Sequence, residues 1–300
     1  MLFDSHCHAW RKWPYSQGVP DPDARGSVDT LLWEMDENGV DRAAVVCVRM
    51  GREVSAACAN DDNNDYVAVA VKAHPDRLVM LADIDCFWTD AEYHKPGASE
   101  RLKQAAERYE LCAFTHYVDG DNDGWLVSEE GQAFFATAAR LNLVASLAVP
   151  APWFADLRQV ALANPTMPIL LHHLGMLRLE SPTLEADIAA LVRNADLPNL
   201  YIKLSGLHYL SEHPWDFPFL EVQERVFCPL LAAFGAERFV WGSDFSAAGR
   251  YISYPQSLEV VRRRLDGLSA GDINLVLGET LESLLRTRRP RGQQLQKGAG

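Results

Sequence analysis

Three observations predict an α/β fold, a single-domain (β/α)8 TIM barrel, for this chain. Short apolar, β-branched runs recur eight times between residues 2 and 285; each is followed by a stretch with apolar residues at helical spacing; and no low-complexity linker interrupts the series. Parallel strands joined by crossover helices leave few other arrangements. A doubly wound open sheet is the alternative, but it would show a Gly-rich turn after the first strand, and none is present.

The first run, Leu2-Phe3-Asp4-Ser5-His6-Cys7-His8, starts apolar and then alternates, so His6 and His8 project to one side and Cys7 to the other. Ser27 reads as the N-cap and Gly39 as the stop of a helix with apolar residues at 28, 31, 32 and 35. Residues 43–48 form a second strand, 61–74 a helix that Pro75 ends, and 78–84 a third strand. Ser99 caps a helix carrying Leu102, Ala105 and Ala106, and 111–115 is a fourth strand ending in His116. Helix 130–141, strand 143–149, helix 153–163 and strand 168–172 follow, then helix 184–193 and strand 200–204. A long helix over 219–234 leads to the eighth strand, 238–241, and helical stretches at 257–265 and 280–285 close the domain. The expected organisation is a barrel domain over 1–285 and a disordered tail over 286–300.

At 300 residues and 48% hydrophobic content the chain can bury one large core. No run approaches the ~20 apolar residues of a membrane span, and the N-terminus lacks the pattern of a signal peptide, so a cytoplasmic location is expected. The formal charge of −13 argues against a nucleic-acid partner. The one basic cluster, Arg286, Arg288, Arg289 and Arg291, reads as part of the solvated tail. Cys7, Cys47, Cys58, Cys86, Cys112 and Cys228 are scattered without CxxC spacing and read as reduced thiols.

In a barrel, reactive groups gather where the strands end. Those ends carry His6 and His8, Arg49, Asp83 and Asp85, His116, His172 and His173, Ser205 and His208, and Asp244, which includes most of the nine histidines. Two imidazoles on one strand end suit a divalent metal or a polarised carbonyl group. Arg49 could hold a carboxylate bidentately, and His208 reads as pocket wall beside Tyr209. Aromatics such as Trp10 and Tyr209 follow the strand ends, which favours a bulky, apolar or planar substrate.

Four motifs, Asp4-Ser5-His6-Cys7-His8, Leu171-His172-His173-Leu174-Gly175, Tyr201-Ile202-Lys203-Leu204-Ser205-Gly206 and Trp241-Gly242-Ser243-Asp244-Phe245, resemble signatures of the amidohydrolase superfamily. The resemblance runs from residue 2 to about 285. It is greatest to the amidohydrolase 2 type and its branch of pyrone-dicarboxylate and sugar lactonases, with metal-dependent decarboxylases as neighbours. It implies a distorted barrel in which His6 and His8 correspond to the strand 1 pair. Asp244 corresponds to the strand 8 aspartate, which binds metal or moves the proton of the attacking water. His172 or His173 corresponds to the strand 6 histidine; by alternation one of the two faces the mouth and the other the helical layer, and His172 is preferred for the mouth. The chain departs from the pattern in two places. Strand 4 has no lysine for a carbamate bridge, and strand 5 has no histidine. His116 is offered as an extra ligand instead.

The expected metal is zinc or iron, one ion or two, held by His6, His8, Asp244, His116 and His172. Asp244 and His172 are the expected catalytic residues, and Arg49, Trp10, His208 and Tyr209 the expected substrate contacts. The leading reading is hydrolysis of a lactone, ester or amide of a bulky substrate. A non-haem iron or di-iron oxygenase acting on a natural-product intermediate, a metal-dependent decarboxylase and a non-enzymatic binding protein are the alternatives. A small-molecule partner is expected, with no nucleic acid and no membrane, and a homo-oligomer is left open.

Overall fold

The computed structural model of the chain describes residues 1–16, 18–50, 59–263 and 268–288. Eight parallel strands form one sheet in sequential order: β1 (Phe3–Cys7), β2 (Arg42–Val46), β3 (Leu78–Asp83), β4 (Ala113–Tyr117), β5 (Val144–Ala148), β6 (Ile169–Leu171), β7 (Leu200–Leu204) and β8 (Phe239–Trp241). Helices α1 (Val28–Glu37), α2 (Asn63–Ala73), α3 (Ala98–Tyr109), α4 (Glu129–Arg140), α5 (Phe154–Ala163) and α6 (Leu184–Val192) join the first seven strands. The result is the nearly closed (β/α)8 barrel that the alternation predicts, a fold in which each crossover must return on the same hand. Of the tail expected over 286–300, residues 289–300 lie outside the described residues, as does Cys58; Arg286 instead ends the last helix, and Arg288 donates to the Leu284 carbonyl at 2.7 Å. No helix of the described residues is long and apolar enough to cross a membrane.

Local chemistry explains the element ends. Ser27 caps α1, its hydroxyl accepting from the backbone N–H of Thr30 at 3.2 Å. Ser99 does not cap α3. That helix begins one residue earlier, after Gly97 at φ 92°. Glu130 of α4 reaches across to accept the N–H groups of Gly97 and Ala98 at 2.9 and 2.8 Å. The cap is thus borrowed from the neighbouring helix. The long helix expected over 219–234 is in three parts: Leu220–Val222, a wide turn over Gln223–Phe227, and Cys228–Phe234. Pro229 supplies the reason, because it lacks the N–H that a regular turn would use there.

The barrel is apolar at its lower end and polar at its mouth. Phe3, Ala44, Val46, Val79, Leu81, Ala113, Val144, Leu170 and Val240 form the inner core. The last helix, Thr280–Arg286, covers this end with Leu281 and Leu285 and sends Glu282 to Arg42, which also lies 4.5 Å over the Phe3 ring.

Phe3 faces inward at the bottom of β1 and His6 at the top, although three positions separate them and strict alternation would oppose them. A bulge resolves the conflict. Asp4 pairs with Ala43 and Cys7 with Val45, so β1 carries one extra residue between them. Inward and outward faces exchange there, and the imidazoles reach the mouth.

The seam between β8 and β1 has no regular ladder among the described residues. Individual bonds hold it: Asp244 N–H to the His6 carbonyl at 2.7 Å, His8 N–H to the Phe245 carbonyl, and Ser5 hydroxyl to the Val240 carbonyl at 3.4 Å. The buried Asp4 carboxylate gathers four more donors. These are the N–H of His6 at 3.0 Å, the N–H of Ser243 at 2.9 Å, the Ser243 hydroxyl and the Tyr254 hydroxyl at 2.9 Å. Gly242 lets the strands approach this closely, since a Cβ there would stand 2.6 Å from His6 Cβ.

Candidate functional site

The end of β1 and the turn after β8 bring three ligand-type atoms together. His6 Nε2 lies 3.2 Å from His8 Nε2 and 3.6 Å from Asp244 Oδ1, and His8 Nε2 lies 3.3 Å from the same oxygen. Two ligands of a tetrahedral zinc, each bonded at about 2.0–2.1 Å, stand about 3.3 Å apart. The observed triangle therefore has the size of one face of such a centre. Both Asp244 oxygens are buried and receive no well-formed hydrogen bond, as expected of a carboxylate shaped for a cation. His8 Nδ1 faces the Val46 carbonyl at 2.8 Å, which fixes the proton on Nδ1 and leaves the Nε2 lone pair free. These residues fit a divalent metal.

A polar row continues inward from His6. Its Nδ1 lies 3.2 Å from Lys203 Nζ; Lys203 donates to Ser146 Oγ at 2.8 Å; and Ser146 Oγ is 2.6 Å from His172 Nε2. Lys203, on β7, is fully buried. Burial lowers its pKa to about 7, the nearby Asp4 and Asp244 carboxylates opposing the shift. Burial likewise takes His6 and His172 well below the ordinary histidine value, and Lys203 adds to that effect in both. Asp4 is raised to about 6 by burial in spite of its donors. Asp244 goes the other way. Burial pushes its pKa up, but His8, His173 and His208 around it more than compensate and hold it at about 2.

His172 and His173 both enter the cluster. The strand ends at Leu171, and His173 and Leu174 have φ of 47° and 51°, so alternation no longer applies and His173 is not turned away. His173 Nδ1 meets Ser205 Oγ at 2.9 Å, and its ring centroid is 4.5 Å from that of His6. Gly206, at φ 61°, makes room, since a Cβ would stand 2.3 Å from His173 Nδ1. His6, His172 and His173 thus form a second group of three ligand-type atoms lying within 4.8 Å of one another, beside His6, His8 and Asp244. His208 lies on a short helix, Leu207–Leu210, with Nε2 3.6 Å from Asp244 Oδ2.

Above the cluster opens a cavity of about 440 Å3. His8, His173 and Asp244 are part of its lining, and Tyr15, Met50, Phe87, Trp88, Tyr117 and Tyr209 make much of its wall, with Arg178 at the rim. Burial raises the phenols of Tyr15, Tyr117 and Tyr209, so they remain protonated donors.

Three residues expected at the site stand elsewhere. His116 lies within β4, which runs two residues later than the sequence pattern suggests, and it faces the helical layer. There it meets the Ile84 carbonyl at 3.0 Å and stacks near Trp125 and Phe134. Arg49 is committed to Asp83 at 3.3 Å and to Glu92, and lines a separate charged recess. Trp10 is fully buried behind His8, their centroids 5.0 Å apart, with its indole N–H on the Val48 carbonyl at 3.3 Å. It backs the site without lining the cavity. His8, Tyr209 and Asp244 line the cavity, and His6, His172 and His208 come together beneath or beside it.

Sequence reasoning missed Lys203, Ser146 and Asp4 as participants. The signal for Lys203 was present: one lysine inside an otherwise apolar strand, Leu200-Tyr201-Ile202-Lys203-Leu204, has to be buried with partners or flipped outward.

Fold and site define a barrel protein with a histidine- and aspartate-based centre at the C-terminal ends of its strands. The chain belongs to the family described as Amidohydrolase, whose profile matches residues 3–286. That membership supports an enzyme. Among solved structures it is similar to a probable 2-pyrone-4,6-dicarboxylic acid hydrolase from Acinetobacter baumannii with citric acid bound. The two are 16% identical at a TM-score of 0.73, with 95% of this chain and 98% of that one covered. An amidohydrolase from Burkholderia multivorans with bound zinc is 21% identical at a TM-score of 0.72, with 97% and 100% covered. The 4-oxalomesaconate hydratase from Rhodopseudomonas palustris is 13% identical at 0.61, with 95% of each chain covered. None of the curated proteins matches the sequence.

Proposed function

We propose that the protein is a metal-dependent hydrolase that opens a lactone, ester or amide of a bulky, planar or apolar substrate. The observation that carries the reading is the triangle of His6 Nε2, His8 Nε2 and Asp244 Oδ1, with edges of 3.2–3.6 Å, beneath an aromatic cavity. The zinc reported in the Burkholderia structure agrees with it. His6, His8 and Asp244 Oδ1 would hold one zinc or iron. When bound, such an ion supplies Lewis acidity to a carbonyl oxygen and lowers the pKa of a water.

The remaining steps belong to the chain's own groups. Asp244 Oδ2, on the side of His208, takes the proton of the attacking water, and the neutral His208 imidazole 3.6 Å away can receive it in turn. The phenols of Tyr117 and Tyr209 donate to the substrate carbonyl or to the departing oxygen. Trp88 and Phe87 present ring surface to a planar substrate.

Hydrolysis of a panel of aryl and alkyl lactones, esters and amides, with zinc-loaded and chelator-treated protein, tests the reading. Turnover that requires metal and falls at least about 10²-fold in Asp244→Asn is expected. Near-normal turnover in Asp244→Asn, or turnover indifferent to chelation, overturns it.

A further inference from the structure

Residues 173–178 run from the floor of the cavity to its rim. Four consecutive residues, His173, Leu174, Gly175 and Met176, have φ of 47°, 51°, 74° and 58°, and after this left-handed turn His173, Met176 and Arg178 all reach the lining. The backbone on either side of Arg178 is fixed: Leu177 is buried, and the Leu179 N–H donates to the Leu210 carbonyl at 2.8 Å. The mouth thus carries a cation on a firm base. The protein itself makes little use of that cation. Arg178 Nε lies 3.7 Å from Glu180 Oε2, a pair between two exposed side chains that is worth little, and neither terminal nitrogen makes a hydrogen bond among the described residues. The arginines of the charged recess differ. Arg49 is bound to Asp83 and Glu92, and Arg101 holds Asp85 at two points, 2.8 and 2.6 Å, with the Glu92 and Lys95 carbonyls besides. Among the described residues of the cavity lining, Arg178 is the one lysine or arginine. Elsewhere the wall is largely aromatic and aliphatic, as at Met50, Phe87, Trp88 and Pro150, and the floor carries the Asp244 carboxylate. A ligand carboxylate set against that wall would be desolvated without a counter-charge, which is costly.

We propose that Arg178 is a specificity-determining residue: its two terminal nitrogens bind a single carboxylate at the end of the substrate remote from the bond that is hydrolysed. The site then prefers planar monocarboxylates to their neutral and dicarboxylate counterparts. The inference rests on the hydrolase reading given above, which places the reacting carbonyl at the floor. The planar fork of a guanidinium matches a carboxylate at two points, so Arg178 fixes orientation as well as charge. A second carboxylate on the same ring would meet the apolar wall.

The test uses three compounds with a carbonyl at one end and no, one or two carboxylates at the other: acetanilide, 4-acetamidobenzoate and 5-acetamidoisophthalate. Each is titrated calorimetrically into zinc-loaded wild type, Arg178→Gln and Arg178→Lys, and the acetate esters of the matching phenols are assayed for turnover in parallel. In the wild type 4-acetamidobenzoate is expected to bind at least about tenfold more tightly than either of the others. That preference is lost in Arg178→Gln and partly restored in Arg178→Lys, which returns the charge without the two-point geometry. For the monocarboxylate ester the loss appears in KM rather than in kcat. Equal or weaker binding of the monocarboxylate in the wild type, binding of none of the three, or a preference that survives in Arg178→Gln overturns the inference, and turnover of the esters in that case leaves the hydrolase reading standing. The expected preference with no turnover of any ester supports the role of Arg178 and counts against hydrolysis.

Discussion

The inner and outer histidines of this barrel are equally hidden from solvent but live in different company. His116 has its Nδ1 on the Ile84 carbonyl and its ring beside Trp125 and Phe134, centroids 5.3 and 5.6 Å away. His6 has no carbonyl partner and instead faces His8, Asp244 and Lys203. Burial lowers the pKa of both rings. Burial therefore does not mark the site; the neighbours do. A ring tied to a backbone carbonyl and packed among aromatics acts as packing with one polar handle. A ring that faces other ligand-type atoms retains a lone pair for chemistry.

The sharpest way to break this comparison is to exchange the two kinds. His6→Ala and His8→Ala should each abolish stoichiometric zinc binding, with turnover down by about 10²–10³-fold. His116→Phe should keep both. Loss of zinc from His116→Phe, read by elemental analysis, would place the outer histidine in the centre after all.

Acid stability gives the next largest effect. The His116 pKa is lowered to about 4 in the folded chain, against about 6.5 when unfolded. Between those values the unfolded state binds the additional proton, so stability rises with pH across this window and is lost as pH falls from 6.5 to 4. This one group contributes roughly 3 kcal/mol to that loss. Chemical denaturation of His116→Phe should show a shallower decline over the same range. Superimposable profiles for variant and wild type would refute it.

The smallest effect is expected at the seam. Tyr254→Phe removes one of four donors to the Asp4 carboxylate and should lower stability by about 1.5–3 kcal/mol while zinc stoichiometry stays unchanged. A loss of zinc equal to that in His8→Ala would mean that Tyr254 supports the ligands directly.

Much of this was readable from the sequence, for reasons that individual residues make plain. The strands announced themselves because parallel strands buried on both faces are continuous apolar runs, as in residues 43–48. His6, His8 and Asp244 stood out because the strands of a barrel end at its mouth, where reactive groups gather. What could not be read was parity at the strand ends. β4 runs on through Tyr117, so His116 stays in the alternation on the outward face with Phe114, whereas β6 stops at Leu171 and a change of backbone region at His173 brings that ring into the cluster; neither leaves a mark in composition. Arg49 carried the right chemistry for a carboxylate, but the carboxylates it holds are Asp83 and Glu92 of its own chain. Lys203 was disguised by its position, since a single charge in a strand ordinarily points to water.

The seam between β8 and β1 has one more consequence. His6 and His8 stand on one side of it and Asp244 on the other, so an ion gripped by all three fastens the first strand to the last, 238 positions apart counting from His6 to Asp244. Such an ion would serve as the clasp of the ring, closing with coordinate bonds the circle that the ladder leaves incomplete. Occupancy and resistance to unfolding would then rise together with metal concentration, and starving the protein of metal would loosen its architecture along with its activity.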